Sequence, residues 1–220
     1  MSAENSYKET SGFISQFVNT CFSILKILVR SKFSNRITSE NRQTCIVLGN
    51  GPSLKTSFTK HSDFFSKHSF FCVNSFSISE EFTKFKPEFY VILDYSFWKS
   101  DGAIVTETLD ALKTKTTWPL KLYVPQMAAN NIRFKELTKA NTNIQLNYFN
   151  YTVFKGFPSV AHWFYSKNLA MPQSQNVLVA AIFLSINNSF KEIFVVGADH
   201  TWHEHLHLDE KNILNVKRKV

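Results

Sequence analysis

The chain has little glycine and little cysteine, and these shortages exclude several classes of protein. Its 220 residues contain six glycines and three cysteines, Cys21, Cys45 and Cys72. The cysteines are odd in number and widely spaced, and no C-x-x-C pair occurs. This argues against a disulfide framework, and no cysteine pair supports a zinc site. Cys45 and Cys72 fall in apolar runs, where cysteine acts as a small apolar residue, so we expect a reducing, cytoplasmic environment.

A long basic run is also missing, although the formal net charge is +8. The lysines are scattered along the chain, which is typical of a solvated basic surface and not of a nucleic-acid-binding stripe. We therefore expect no nucleic-acid partner. The positive balance still suits smaller or flatter anionic partners, namely a nucleotide or an anionic membrane face.

Residues 1–40 differ in pattern from the rest of the chain. Within 13–29, apolar residues recur at helical spacing and predict one apolar helix face: Ile14, Phe17, Val18, Cys21, Leu25, Leu28 and Val29. The other side of that helix carries polar residues: Ser15, Gln16, Asn19, Thr20, Ser23 and Lys26. These interruptions argue against a membrane-spanning segment, and the flanks lack a signal-peptide layout.

Two interpretations of this amphipathic helix stay open. It lies in a membrane interface, helped by Arg30, Lys32 and Arg36, or it packs on the domain or on a partner. The first interpretation predicts a cytoplasmic protein that is peripheral at the inner membrane face. A polar linker over 34–43 follows, so we predict a helix-and-linker unit over 1–40 and a nucleotide-binding domain over 41–220.

Six short apolar runs predict the strands of that domain: 45–49, 70–74, 89–94, 121–125, 144–149 and 192–199. Most are continuous and do not alternate with polar residues, as expected for strands buried on both faces. Helical or mixed stretches separate them, most clearly over 174–190. The alternation predicts an α/β, Rossmann-like fold with a mostly parallel sheet flanked by helices, preceded by the amphipathic N-terminal helix.

The first strand runs directly into a sharply turning stretch, Gly49-Asn50-Gly51-Pro52-Ser53. Asn-Gly is a strong hairpin signal, but Pro52 cannot donate to a ladder and no alternating strand returns. The alternative is a strand-to-helix turn, where glycine allows close backbone approach and free N–H groups face a ligand anion. Both interpretations stay open on the pattern, and the second predicts a nucleotide phosphate or ribose facing Ser53.

Polar residues also follow the other strands. Asn74 ends the second, Asp94 the third, and Gly197 and Asp199 the last. If the sheet is parallel, these residues converge on one edge, where ligands bind in open α/β sheets. Asparagine can hold a ribose or a base edge, and Asp94 or Asp199 can hold Mg²⁺ on a polyphosphate.

The segment 197–210 contains four of the seven histidines, including His200 and His203. Their spacing fits no zinc signature such as H-E-x-x-H. A catalytic or phosphate-facing role for His200 or His203, a bound transition metal, and a polar loop over the site all stay open.

These residues, in this order, resemble a known family. The stretches "IVLGNGPSLK", "FFCVNSF", "FYVILD" and "NVLVAAIFLSINNSFKEIFVVGADHTWHE" are similar to the MptE-like domain family, named for a 6-hydroxymethylpterin diphosphokinase. The same layout is similar to bacterial sialyltransferases of the Campylobacter type. The resemblance covers about residues 44–204 and is strongest at the two ends of that range.

The diphosphokinase resemblance implies ATP, Mg²⁺ and a pterin alcohol as the hydroxymethyl acceptor, and Asp94 and Asp199 suit that chemistry. With His200, which the pattern after the last strand adds, they are our candidate catalytic residues. The sialyltransferase resemblance implies that the turn and Asn74 contact a cytidine nucleotide donor. In that family the third strand ends in asparagine, and here the position holds Asp94. The family's Thr-Ser-Gly before the long helix corresponds here to residues 174–176, which end in Asn176. The contacts that it implies are Asn50, Gly51, Ser53 and Asn74. With the rest of the turn and the residue before the long helix, our candidate nucleotide-binding set is Gly49, Asn50, Gly51, Pro52, Ser53, Asn74 and Asn176.

Our leading expectation is a nucleotide-dependent transferase that moves a diphosphoryl group from ATP to a small-molecule acceptor. The alternative enzyme is a glycosyltransferase that uses a nucleotide sugar to modify a glycan acceptor in surface polysaccharide synthesis. A non-catalytic nucleotide-binding partner protein is the third interpretation.

Overall fold

A computed structural model describes residues 3–35, 37, 42–199, 206–208 and 214–216, with side chains for 12–35, 37 and 42–199. The described helices are α1 (Ala3–Arg30), α2 (Ser53–Lys60), α3 (Ser62–Phe65), α4 (Glu81–Phe85), α5 (Ser96–Lys99), α6 (Ala103–Lys115), α7 (Ile132–Ala140), α8 (Pro158–Ser166) and α9 (Val177–Asn187). The described strands are β1 (Thr44–Leu48), β2 (Ser69–Val73), β3 (Phe89–Val91), β4 (Leu120–Pro125), β5 (Ile144–Phe149), β6 (Glu192–Val196), β7 (Leu206–Leu208) and β8 (Leu214–Val216).

Six of these strands form one sheet in the order β5-β4-β3-β2-β1-β6. Every neighbouring pair in it is parallel, and β7 and β8 form a separate antiparallel pair. Each strand of the large sheet coincides with a predicted apolar run, so the expected α/β fold is confirmed. The continuous runs have a direct cause, since all five residues of β1 are buried and a strand covered on both faces gains from apolar residues at every position.

Helices cover both faces of the sheet. On one face, α2, α3, α4, α6 and α7 contribute to a core rich in phenylalanine, in which the rings of Phe58 and Phe85 stack at 4.2 Å. On the other face α9 packs on β1, β2 and β3, over Phe71 and Phe89, whose rings stack at 4.4 Å. The abundance of phenylalanine is thus explained by packing, because each buried ring removes a large apolar area from water.

The chain changes direction across the sheet between β1 and β6. Strands β1 to β5 follow one another outward, whereas β6 returns to the free side of β1. In open α/β sheets, ligand sites lie outside the carboxyl ends of the strands near such a reversal. The loops after β1, β2, β3 and β6 are therefore the ones to inspect for a site.

Helix α1 packs on the domain through the side opposite to its predicted apolar face. Its buried residues include Thr20, Ser23 and Ile27, and the predicted apolar face is exposed. Between residues 12 and 30 this helix is, by length and composition, apolar enough to cross a membrane. The predicted boundary between residues 40 and 41 lies outside the described residues.

Candidate functional site

The turn after β1 is held against the loop after β6 by backbone hydrogen bonds. The N–H of Gly49 donates to the carbonyl of Val196 at 2.8 Å, and that of Gly51 donates to the carbonyl of Gly197 at 2.9 Å. A Cβ on Gly49 would lie 2.2 Å from the Gly197 oxygen. The glycines therefore permit a close approach, as predicted, and the group approached is the chain's own backbone.

The start of α2 is already occupied by an internal anion. Oδ2 of Asp199 accepts a hydrogen bond from the backbone N–H of Ser53 at 2.8 Å. A carboxylate at this position satisfies one of the N–H groups that have no partner within the helix and complements its dipole. Because the Ser53 N–H is bonded to Asp199, a ligand phosphate would have to compete with this carboxylate for it, and Pro52 beside it is exposed. The role of Ser53 toward a phosphate or ribose stays a prediction.

Asn50 lies between the first two loops. Its side-chain amide reaches the carbonyl of Val73 at 3.5 Å and the hydroxyl of Ser75 at 3.4 Å. Both contacts are long for hydrogen bonds, and Asn50 is exposed. The amide is therefore placed at the sheet edge and remains able to turn toward a ligand.

Asn74 adopts a left-handed backbone conformation, with φ of 43°, which asparagine tolerates better than most residues. Its side-chain oxygen accepts a hydrogen bond from the N–H of Leu93 at 3.3 Å. The buried Tyr90 hydroxyl stabilises this turn, since it donates to the Asn74 carbonyl and accepts from the N–H of Ser77 at 2.8 Å. Burial raises the pKa of Tyr90, so this hydroxyl stays protonated and able to donate.

Asp94 begins the segment after β3. Its Oδ1 accepts a hydrogen bond from the N–H of Ser96 at 2.9 Å, at the start of α5. The residue is exposed, and a carboxylate has acceptor capacity beyond one such bond. Asp94 thus combines a local structural role with a carboxylate oxygen that is available to a ligand.

A cavity of about 350 Å³ lies at this edge of the sheet. It is lined by Asn74, Leu93, Asp94, Tyr151, Ser174, Gln175, Asn176 and Val177. Three of the predicted site residues, Asn74, Asp94 and Asn176, are therefore brought together, although they are far apart in the sequence. The volume falls within the range of small-molecule sites, roughly 300–1,000 Å³.

The amino terminus of α9 faces this cavity. Oδ1 of Asn176 caps the helix by accepting from the N–H of Val179 at 3.2 Å, and the 11-residue helix buries Ala180, Ala181 and Leu184 in the core. Tyr151 supports the segment before the helix, since the hydroxyls of Ser174 and Tyr151 are 3.0 Å apart. The sequence reasoning missed Tyr151, because nothing in its local pattern distinguishes it from the other aromatic residues.

A larger cavity, of about 480 Å³, opens at the opposite, amino end of the strands. Its lining includes Arg42, Glu88 and Trp118 and none of the predicted site residues. Arg42 and Glu88 form an ion pair there. We place the candidate site at the carboxyl end, where α/β sheets bind ligands.

The two proposed metal ligands are not neighbours in the sheet. Asp94 follows β3 and Asp199 follows β6. Two strands, β2 and β1, lie between them in the sheet, so β3 and β6 are on the order of 14 Å apart. Each carboxylate also accepts a backbone N–H. Among the described residues, no three His, Cys, Asp or Glu side chains gather as metal ligands would. A magnesium site at either residue alone stays a prediction.

The histidine segment falls mostly outside the described residues. His200, His203 and His205 are not described, and His207 lies in β7, for which only the backbone is described. Asp199, the residue before His200, is at the turn after β1. A catalytic role for His200 stays a prediction.

Comparisons with known proteins show a distant likeness in fold. Neither a protein-family model nor a curated protein sequence matches this chain at a significant level. Among solved structures, its fold is similar to that of the MAf glycosyltransferase from Magnetospirillum magneticum AMB-1, with a TM-score of 0.49 and 11% sequence identity. The match covers 77% of this chain and 25% of that one, so this chain spans about a quarter of that protein's length. The resemblance to the MptE-like family stays a prediction.

Proposed function

We propose that this protein is a transferase that takes a glycosyl group from a nucleotide sugar. The observation that carries the proposal is the cavity at the carboxyl ends of β2 and β3, which joins Asn74, Asp94 and the amino terminus of α9. Together they can serve the parts of a nucleoside phosphate: a polar edge for base or ribose, a hydrogen-bond acceptor for the ribose hydroxyls, and a helix amino terminus for the phosphate.

The phosphate of the donor is assigned to the amino terminus of α9. Helix amino termini bind phosphate through free N–H groups and the helix dipole. In α9 the Asn176 cap engages the N–H of Val179, and the N–H groups of Val177 and Leu178 lie in the same first turn. The equivalent position at α2 is less suitable, because Asp199 is bonded there and would repel a second anion.

The ribose is assigned to Asp94. An acidic residue that follows a strand in this class of fold is suited to accept hydrogen bonds from ribose hydroxyls. The Ser96 N–H holds the Asp94 carboxylate in place through Oδ1, which leaves Oδ2 for the ligand. In the reaction, an acceptor hydroxyl attacks the anomeric carbon, the bond to the phosphate oxygen breaks, and the nucleotide leaves with the electron pair. The proton of the acceptor goes to a base, for which His200 is our candidate.

Diphosphoryl transfer, the leading expectation from the sequence, has less support. It needs Mg²⁺ between a carboxylate and a polyphosphate. Asp199 is turned toward α2, which leaves Asp94 as the available carboxylate of the pair. A polyphosphate-bound Mg²⁺ would therefore have one carboxylate from this pair and not two.

The test is a set of titrations by isothermal calorimetry with CMP, CDP, UDP, GDP and ATP, each with and without Mg²⁺. We expect a pyrimidine or guanine nucleotide to bind without metal, and the matching nucleotide sugar to be hydrolysed slowly or transferred. Binding of ATP alone, and only with Mg²⁺, would replace the proposal with diphosphoryl transfer. If none of the nucleotides binds, the proposal fails, and the non-catalytic partner protein becomes the better interpretation.

A further inference from the structure

The polar side of α1 is the side that attaches it to the domain. The Ser23 hydroxyl donates to the carbonyl of Lys155 at 2.8 Å and accepts from the N–H of the same residue at 2.9 Å. Thr20 accepts from the N–H of Phe157 at 3.0 Å. These bonds pair two helix hydroxyls with the 155–157 backbone, which would otherwise leave buried polar groups without partners.

The contact around this attachment is tight. A Cβ on Gly156 would lie 2.1 Å from Oγ1 of Thr20, so the helix and the loop approach as closely as glycine allows. Two turns further along, Ile27 is buried with Ala161 and Leu169. This side of α1 is therefore a specific interface within the chain.

The opposite side forms a long apolar surface that is exposed along its length. We call it the outer face of α1, and it consists of Ile14, Phe17, Val18, Cys21, Phe22, Leu25, Leu28 and Val29. All eight are exposed, and the seven large residues keep 43–76% of their surface exposed. Phe13 lies on the attached side, where its ring contacts that of Phe157 at 5.3 Å. From residue 14 to 29 the face is about 23 Å long, at 1.5 Å per residue. Contiguous apolar surfaces of this kind mark interaction sites.

The surroundings of the outer face are basic. Lys26 lies one turn beyond Phe22 at its margin, Arg30 follows one turn later, and Lys32 comes just after the helix. Residues 10–39 and 137–191, which include α1 from residue 10 onward and the segment that packs against it, contain no aspartate or glutamate. Glu4 and Glu9 lie in the first two turns of α1, before the outer face begins. An apolar face with cations at its margin complements an anionic lipid surface.

Helix α8, which packs on α1, adds an aromatic residue of the kind found at membrane interfaces. Trp163 is 55% exposed, and its ring lies edge-on to Phe164, which packs against the cluster around Ile27. Tryptophan is enriched at the level of lipid headgroups.

We propose that the outer face of α1 binds the surface of an anionic bilayer, with the helix parallel to the membrane plane. A membrane-spanning arrangement is disfavoured, because Thr20 and Ser23 are bonded to the domain and would have to exchange those partners for lipid. This proposal depends on α1 and its surroundings and does not require nucleotide binding.

The first test is flotation of the full chain with vesicles of phosphatidylcholine, with or without phosphatidylglycerol. We expect flotation with the anionic vesicles, weakened by salt. Phe17→Ser with Leu25→Ser should lower the partition coefficient at least tenfold, since each side chain contributes burial of apolar area. Ile132→Ser, which changes an equally exposed apolar residue on α7, is the matched control and should float like the wild type. Flotation of the double variant at the wild-type level, or no flotation of the wild type, would overturn the proposal.

A second readout uses Cys21, which is exposed on the outer face, whereas Cys45 and Cys72 are buried. An environment-sensitive thiol dye on Cys21 should shift to shorter emission wavelengths on anionic vesicles. A concentration-dependent dimer in lipid-free solution, lost in the double variant, would assign the face to a second copy instead. Retention of the protein in membranes after alkaline carbonate extraction would contradict the parallel orientation.

Discussion

Oδ2 of Asp199 lies 2.8 Å from the backbone nitrogen of Ser53 and accepts its hydrogen bond. This bond ties the loop after β6 to the first residue of α2, although the two segments are far apart in the sequence. The two segments therefore occupy the part of the sheet edge next to β1 and β6, where the strand order reverses. The open part of the edge, with the cavity near Asn74 and Asp94, lies on the other side of β1.

Replacing Asp199 with alanine should destabilise the protein by about 1 kcal/mol, the usual effect of losing a helix cap. Asp199→Asn should cost less, because its amide oxygen can still accept from Ser53. Chemical denaturation of the three proteins measures both differences. Equal stability of Asp199→Ala and the wild type would show that this bond contributes nothing to folding.

Replacing Gly51 with alanine should destabilise the protein by about 1–3 kcal/mol, the range for overpacking. A Cβ there would lie 2.4 Å from Oδ2 of Asp199 and 2.6 Å from the Gly197 oxygen, so the turn or the loop after β6 must move. The control is Gly12→Ala, whose Cβ meets nothing within 4 Å and which should be neutral or stabilising in a helix. Denaturation midpoints compare the two, and equal values would contradict the close approach.

The fold could be predicted from the sequence because its central strands are buried on both faces. The runs at 45–49 and 121–125, for example, are short and mostly apolar, and nearly every residue of β1 and β4 is buried, as is typical of such runs. The orientation of α1 could not be predicted in this way. The periodicity of 13–29 shows that the helix has an apolar and a polar face, but not which face is buried. The polar face is buried because the Lys155 backbone offers Ser23 both a donor and an acceptor.

The candidate site could be predicted only in part. Asn74 and Asp94 could be found because residues that end parallel strands share one edge. The engagement of Asp199 with Ser53 could not, since β6 is far from β1 in the chain but next to it in the sheet. The roles of Tyr90 and Tyr151 were missed for the same reason, because their partners are set by tertiary contacts.

Under the proposed function, Asp94→Ala should weaken nucleotide binding roughly tenfold or more, the effect of losing a hydrogen bond to a charged acceptor. Asp94→Asn should retain most of the affinity, because its oxygen can still cap Ser96 and its amide can still bond a ribose hydroxyl. Calorimetry with the best nucleotide from the panel measures both. Asp110→Ala, on the exposed side of α6, is the control for charge and should bind normally.

The asparagine variant also separates the two enzyme interpretations. An amide is a poor substitute for a carboxylate on Mg²⁺, which prefers charged oxygen ligands. If Asp94→Asn lost binding as completely as Asp94→Ala, and only when Mg²⁺ was present, Asp94 would be a metal ligand and not a ribose partner.

The stability of the protein should fall as pH rises above about 9. Burial raises the pKa of the Cys45 thiol from 9.0 to about 11, despite a hydrogen bond with Ser185 that lowers it, and burial also raises the pKa of Cys72 well above 9.0. Between pH 9 and 11 the unfolded chain loses these protons and the folded chain keeps them. Each such group lowers the free energy of unfolding by on the order of 1 kcal/mol per pH unit in this window, and has no effect below it.

Urea denaturation at pH 7, 8, 9 and 10 tests this dependence, with reducing agent present to keep the thiols free. The slopes with pH are compared, because Cys45→Ala can differ in stability from the wild type already at pH 7. The free energy of unfolding of Cys45→Ala should fall less steeply as pH rises, since one of the buried thiols no longer titrates. Cys21→Ala removes an exposed thiol and should leave the slope unchanged. A wild-type stability that stayed constant up to pH 10 would mean that the buried thiols ionise in the folded protein as they do in the unfolded chain.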